Sequence, residues 1–199
     1  MRIILATKNK GKVREMAEIL SKYNIEVISQ QDADIDVDVE ETGSTFRENA
    51  EIKSRAVAML CEDPVLADDS GLCINALGGK PGVYSARYGG EALPYPEKIK
   101  GILTELRGET DRKAYFECAM ALVFPDGRMI SASGVVNGRI LEAPRGEGGF
   151  GYDSIFYSDE LGKSFGEASD EEKNMVSHRK RAIDGICKQL EELDMEDLK

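Results

Sequence analysis

The stretch that decides the fold is MRIILATKNKGKVREMAEIL, Met1 to Leu20. Its apolar run Ile3-Ile4-Leu5-Ala6 reads as a buried strand over 2–6. A basic turn follows, Thr7-Lys8-Asn9-Lys10-Gly11-Lys12. Val13, Met16, Ala17 and Leu20 then recur at i, i+3, i+4 and i+7, which predicts a helix over 13–22 with one apolar face. A strand running into a helix leaves backbone N–H groups free at the turn, and the helix dipole adds partial positive charge there. Lys8, Lys10 and Lys12 add point charges, Thr7 and Asn9 add neutral donors, and Gly11 lets the backbone approach a ligand. The turn is either a phosphate cradle or an exposed basic loop beside an acidic surface. It lacks the Walker pattern GxxxxGK[ST].

That turn is unusual in a chain of net charge −11 over 199 residues. The acidic excess argues against nucleic acid polymers as partners, because phosphate backbones are bound mainly through Lys and Arg. A small anion remains compatible if positive charge is gathered locally. No apolar run spans a bilayer, and the start of the chain has no charged-then-apolar signal pattern, so no membrane partner and a cytoplasmic location are expected. Cys61, Cys73, Cys118 and Cys187 form no CxxC pair and read as buried thiols. The acidic tail from Glu191 to Lys199 reads as a solvated end.

Farther along, Ile25 to Ile28 suggests a second strand, and 31–44 is acidic without helical period. Thr45-Phe46-Arg47-Glu48 is a capping box that opens a helix toward Cys61. Val65-Leu66-Ala67 is a strand, and Leu72-Cys73-Ile74 resumes its apolar run. Residues 78–96 are a Gly- and Pro-rich loop, and Ile99, Ile102, Leu103 and Leu106 mark a helix. Residues 114–124 and 129–136 flank Pro125-Asp126-Gly127-Arg128 as a hairpin. Ser169-Asp170-Glu171-Glu172 is a second capping box. Ile183, Ile186, Cys187 and Leu190 give the last helix its apolar face, leaving open one helix or two broken near Ser177. The fold class is α/β or α+β with a mixed sheet.

Several side chains interrupt these patterns. Phe46, Ala50, Val57 and Leu60 form one helical stripe, and Lys53 falls inside it with Asn49 one turn before. Such a lysine either snorkels to water or faces a buried anion. Asp68-Asp69-Ser70-Gly71 puts two carboxylates into an apolar run; in a strand they face opposite ways, and in a turn they need not. With Glu40-Glu41 they form acidic pairs on separate segments, which is how Mg²⁺ is held against substrate phosphates. The alternative is an Asp-Ser-Gly turn and a solvated Glu pair. Phe150 and Tyr152 in Gly148-Gly149-Phe150-Gly151-Tyr152-Asp153 either stack on a planar base or anchor the loop to the core. His178 is the only histidine, and Lys173 and Arg179 near it favour its neutral form.

The stretches ATKNKGK (6–12), EETGSTFRENAEIKSRA (40–56), ADDSGL (67–72), ALGGKPGVYSARY (76–88), GGFGYDSIF (148–156) and EEKNMVSHR (171–179) together resemble the inosine triphosphate pyrophosphatases, also called non-canonical purine NTP pyrophosphatases. Ser154 departs from the family's usual proline. The resemblance implies one nucleotide pyrophosphatase domain over 1–199, an elongated mixed α/β protein with two lobes around a deep cleft, and a homodimer. It implies cleavage of XTP, ITP or dITP to the monophosphate and pyrophosphate with Mg²⁺, a reaction that removes deaminated purines.

Carried over residue by residue, it assigns Asp69 as the base acting on water and Lys53 as a catalytic cation. Mg²⁺ falls to Glu40 or Glu41 with Asp68 or Asp69, and the carry-over favours Glu40. Thr7, Lys8, Asn9, Lys10, Gly11 and Lys12 cradle the phosphates, and Ser70 is a further substrate-binding residue. Phe150, Gly151, Tyr152, Asp153, Lys173, His178 and Arg179 contact the nucleoside. A Maf-like pyrophosphatase, a nucleotide-binding regulator without turnover and a metal-dependent phosphatase releasing orthophosphate are the rival readings.

Overall fold

A computed structural model describes residues 1–196. Seven strands form one mixed sheet in the order β2-β1-β3-β4-β5-β6-β7. In chain order these are β1 (Arg2–Leu5), β2 (Glu26–Ser29), β3 (Val65–Ile74), β4 (Lys113–Val123), β5 (Met129–Ile140), β6 (Phe156–Ser158) and β7 (Lys163–Ser164). The helices are α1 (Lys10–Ser21), α2 (Phe46–Ala58), α3 (Tyr95–Glu105), α4 (Asp170–Val176) and α5 (His178–Glu196). β1 pairs in parallel with both β2 and β3, and β6 pairs antiparallel with β5 and β7. Among the described residues no helix is long and apolar enough to cross a membrane. Glu191 and Glu192 are exposed, while residues 197–199 of the acidic tail lie outside the described residues.

The chain divides into two compact units. Unit one is Met1–Asp69, Cys118–Gly134 and the chain from His178 onward; unit two is Ser70–Glu117 and Val135–Ser177. In unit one the two faces of β1 and β3 bury different helices, as a side-chain period of two requires. Ile3, Leu5 and Leu66 join Met16, Ile19 and Leu20 of α1 and Ile183 and Ile186 of α5. Ile4, Ala6, Val65 and Ala67 join Val57 of α2 and the buried Ile35. Each Ile, Leu, Val or Met among these, fully buried, contributes about 1.5–3 kcal/mol. The segment 33–39 follows the same logic: Ile35, Val37 and Val39 pack inward while Asp34, Asp36 and Asp38 are exposed.

The helix after β1 leads to β2 on one side, and β3 lies on the other side of β1. α1 and α2 cover opposite faces. This is a topological switch point, and ligands in open α/β sheets bind beyond the carboxyl ends of the strands at such a point. Unit two has its own core of Leu72, Ile74, Ile102, Phe116, Val136, Phe156 and Phe165.

Several boundaries differ from the sequence reading. α1 begins at Lys10, because the Asn9 side chain caps it by accepting from Gly11 N and Lys12 N. α2 stops at Ala58, so Leu60 is 57 % exposed rather than part of the stripe. β3 is one ten-residue strand that runs through the two aspartates. Ser177 takes an extended conformation between α4 and α5, so the last helical region is two helices. All four thiols are free, and Cys61 is only half-buried.

The start of α5 rests directly on β5. A Cβ on Gly134 would lie 2.2 Å from the His178 carbonyl oxygen and 2.6 Å from Ala182 N. Gly134→Ala should therefore destabilise the protein by about 1–3 kcal/mol through overpacking. Gly101 lies inside α3 with nothing near its absent Cβ, so Gly101→Ala should stabilise by about 0.5–1 kcal/mol. Denaturant melts of the two variants check the opposite signs.

Candidate active site

The site of unit one is built where β3 carries its two carboxylates. Because β3 is a strand there, Asp68 and Asp69 face opposite ways. Asp68 shares a face with Leu66 and meets α1 and α5. Its carboxylate lies 2.9 Å from Lys12 Nζ and 3.5 Å from Arg179 Nη2. Arg179 Nη1 in turn lies 2.7 Å from Glu15 Oε2. All four groups are buried or nearly so, Asp68 completely. Burial alone would push the Asp68 carboxyl up, but the charges of Lys12, Arg179 and Lys53 outweigh it and hold the group well below the usual carboxylate range.

Asp69 shares the other face with Ala67 and meets α2. The capping box Thr45–Glu48 fixes the start of that helix, with Thr45 Oγ1 accepting from Glu48 N. One residue on, Asn49 Nδ2 donates to Asp69 Oδ2 at 2.9 Å, and Asn49 Oδ1 accepts from Gly43 N at 2.8 Å. One turn later Lys53 Nζ donates to Glu41 Oε1 at 2.5 Å and to the Asp68 carbonyl at 2.7 Å. Lys53 therefore faces carboxylates and does not snorkel. Burial works against its ammonium, yet Asp68, Asp69 and Glu41 raise its pKa above the ordinary lysine value. Burial pushes the Asp69 carboxyl up as well; Lys53 pulls it back, and the negative charge of Glu41 adds to the rise. One aspartate is thus held ionised while its neighbour is made more basic.

The basic turn is arranged differently from a simple cradle. Asn9 Oδ1 occupies the N–H groups of Gly11 and Lys12 at 2.9 and 3.2 Å, as an asparagine N-cap does. Thr7 Oγ1 accepts from Asn9 N at 3.2 Å. Of the lysines only Lys12 turns inward to Asp68; Lys8 lies 3.3 Å from the exposed Asp36, and Lys10 is exposed. Glu40 is exposed, whereas Glu41 is the member of its pair that meets Lys53. Ser70 is half-buried and follows Asp69 as the first residue of unit two. His178 is buried at the start of α5. Among the described residues no group of three His, Cys, Asp or Glu side chains forms a metal cluster.

In unit two, Asp153 Oδ2 accepts from Phe150 N at 2.8 Å and from Lys173 Nζ at 2.7 Å. Lys173, on α4, is 4 % exposed, and its Nζ lies 4.5 Å from the centroid of the Phe150 ring and 5.6 Å from that of Phe165. Gly149 (φ +71°) and Gly151 (φ +66°) make the left-handed turns of this loop, and a Cβ on Gly149 would lie 2.2 Å from Asp153 Oδ2. Tyr152 is an anchor: it is 3 % exposed and its hydroxyl donates to the Ser85 carbonyl at 2.8 Å. Phe150 remains half-buried.

Comparison with known proteins adds family membership. The Ham1 family model matches residues 3–189. The chain belongs to the Ham1 family. It is 48 % identical over 193 residues to a dITP/XTP pyrophosphatase of Geobacillus kaustophilus, covering 96 % of this chain and 95 % of the relative. It is 46 % identical over 191 residues to a dITP/XTP pyrophosphatase of Treponema denticola, covering 94 % of this chain and 97 % of the relative. Among solved structures, a Ham1 protein of Coxiella burnetii matches with TM-score 0.86 and 41 % identity over 96 % of this chain and 99 % of that one. The Ham1 protein of Staphylococcus aureus matches with TM-score 0.85 and 42 % identity over 96 % and 98 %.

For this Ham1 chain, sequence reasoning missed Glu15 and left Asn49 without a role. The signal for Glu15 was the one that exposed Lys53: it lies four residues before Ile19, within the buried face of α1. Its partner, Arg179, is far away in sequence, so the pairing itself has no local trace.

Arg179→Met should cost about 3–5 kcal/mol, because it leaves Glu15 and Asp68 as buried carboxylates with one cation fewer. The pH dependence separates the aspartates. Asp68, depressed in the fold, adds stability that is complete above the unfolded value of about 3.9 and is lost as pH falls toward the folded one. Asp69, raised in the fold, costs stability that is fully felt at neutral pH. Asp68→Asn should therefore lower the melting temperature at pH 7 and flatten its fall in acid, whereas Asp69→Asn should raise it at pH 7. Melts between pH 3 and 7 check both signs.

Proposed function

We propose that the chain hydrolyses non-canonical purine nucleoside triphosphates (dITP, ITP and XTP) at the α–β bond, giving the monophosphate and pyrophosphate. One observation carries the reading: Lys53, Glu41, Asp68 and Asp69 gather at one point of β3 in a chain nearly half identical to dITP/XTP pyrophosphatases. A triphosphate brings about four negative charges, which an acidic protein repels unless cations are concentrated locally. Lys12 and Lys53 supply that charge, each lying beside a carboxylate, Asp68 and Glu41 respectively. Asp69, made more basic by burial, takes a proton from water as its oxygen bonds to the α-phosphorus. The bond to the bridging oxygen breaks, and pyrophosphate leaves with the electron pair.

The donor chemistry of Glu41 and Asp69 fits Mg²⁺: both are hard oxygen ligands from separate segments, and both meet Lys53. Bound there, the ion would neutralise phosphate charge. Asp68 is occupied by Lys12 and Arg179, so in this proposal it is a support and not a ligand.

Base reading falls to Lys173 and Phe150 of unit two. Donors toward the purine 6-carbonyl reject adenine, whose 6-amine would face them unpaired. Arg179, held by Glu15 and Asp68, is assigned here to fixing Asp68 instead. The homodimer, the cytoplasmic location and a single pyrophosphatase domain built from both units belong to the same proposal.

Incubation with dITP, XTP, ITP, ATP and GTP plus Mg²⁺ should yield pyrophosphate and monophosphate from the first three preferentially. EDTA should abolish turnover, and added Mg²⁺ should restore it. Asp69→Asn should lower kcat by about two orders of magnitude or more while nucleotide still binds. Orthophosphate as the product, or normal turnover in Asp69→Asn, contradicts the mechanism.

A further inference from the structure

Helix α3 plays no part in the reaction above, yet its first turn is built into the glycine loop of unit two. The helix opens at Tyr95, between Pro94 and Pro96, and proline at the helix start pre-sets the backbone without removing a needed donor. The Tyr95 ring stands edge-on to Tyr152, with centroids 5.2 Å apart and planes at 84°. A Cβ on Gly151 would lie 3.5 Å from the same ring, at ordinary van der Waals distance, so the ring faces the loop at that glycine. Burial raises the Tyr95 hydroxyl above its ordinary value, and the nearby charge of Asp153 adds to this.

One turn along α3, Lys98 is 2 % exposed. Its Nζ donates to the carbonyls of Ala86 and Gly90, both at 2.8 Å, and lies 5.9 Å from the Tyr95 ring centroid. Burying an ammonium on two neutral carbonyls is costly, and the return is a fixed first turn of α3 against the 86–90 segment. The same segment of chain grips Tyr152 from the other end. The Tyr152 hydroxyl donates to Ser85 O, while Ser85 Oγ donates to Gly82 O at 2.7 Å and accepts from Leu72 N at 2.9 Å. Tyr152 is held by its ring through Tyr95 and by its hydroxyl through Ser85. A loop with left-handed glycines on either side of Phe150 is soft by itself, so its rigidity must come from packing.

We infer that Tyr95 and Lys98 are positioning residues for base recognition: the first turn of α3 packs on Tyr152 beside Gly151 and so sets where Phe150 and the Asp153–Lys173 pair meet the purine. This rests on the reading of that loop as the base-recognition element. Neither residue is catalytic; both act through the loop, and small displacements of positioning groups are expensive in rate and selectivity.

The test compares Tyr95→Ala, Tyr95→Phe and Lys98→Met with the native chain in two measurements. In amide hydrogen exchange of the free protein, Tyr95→Ala should speed exchange over 149–153 about tenfold and leave α1 unchanged, and Tyr95→Phe should match the native chain. In steady-state kinetics with Mg²⁺, Tyr95→Ala should raise KM for dITP about tenfold and narrow the dITP/dATP ratio of kcat/KM, with kcat at saturation within about threefold. Tyr95→Phe should restore both, and Lys98→Met should shift both in the direction of Tyr95→Ala. If Tyr95→Ala does not fold, Tyr95→Leu carries the same comparison. Unchanged exchange overturns the inference. So does faster exchange with KM and the ratio unchanged, which would make Tyr95 purely structural. A native chain that turns over no triphosphate overturns the functional reading itself, an outcome distinct from intact turnover with an unmoved loop.

Discussion

Two consecutive carboxylates in an extended strand cannot share an environment, and unit one is organised around that constraint. The face of β3 that carries Asp68 is closed by α1 and α5, which bring Lys12, Glu15 and Arg179. Two negative and two positive groups balance there, and only a balanced set tolerates such burial. The face that carries Asp69 is closed by α2, which brings Asn49 and Lys53, with Glu41 from the preceding segment. Here Glu41 and Asp69 both lie near Lys53, and burial leaves the Asp69 carboxyl raised. The first arrangement suits a support and the second suits a site that gains a cation and moves a proton.

The sheet topology places this pair where chemistry is accessible. β1 lies between β2 and β3, and its helix goes to one face while α2 goes to the other. Thr7 to Asn9 follow the carboxyl end of β1, and Asp68-Asp69 lie within β3 just beyond its parallel pairing with β1, which ends at Leu5 and Leu66. The Asn9 cap then has a cost for binding: it satisfies two amides that an incoming phosphate would otherwise find free. In the proposed reaction, charge from Lys12 and Lys53 carries more of the attraction than the helix end does.

Much of this was legible from local pattern. Both capping boxes form with their reciprocal hydrogen bonds, because a Ser or Thr three residues before Glu satisfies helix N–H groups without help from the rest of the fold. The hairpin at Pro125–Arg128 and the odd position of Lys53 were visible for similar reasons. What stayed hidden depends on partners distant in sequence. Glu15 and Arg179 are 164 residues apart, and no periodicity links them. The length of β3 was ambiguous because aspartate disfavours strands, and burial between two helical layers overrides that preference. Asn9 was read as a ligand donor when its first task is to start α1. The break at Ser177 was left open because Ser177 is compatible with either state. Tyr95 gave no signal, since a tyrosine at a helix start becomes meaningful only beside Gly151 and Tyr152.

The account stands on Asp68 and Asp69 being electrostatically opposite neighbours. Carbon-detected NMR titration of the chain labelled at aspartate carboxyl carbons measures this directly. The predicted result is that Asp68 stays ionised to well below the ordinary aspartate value of about 3.9, while Asp69 takes up its proton above it. If both carboxyls titrated together near the ordinary value, the separation of roles along β3 would be contradicted.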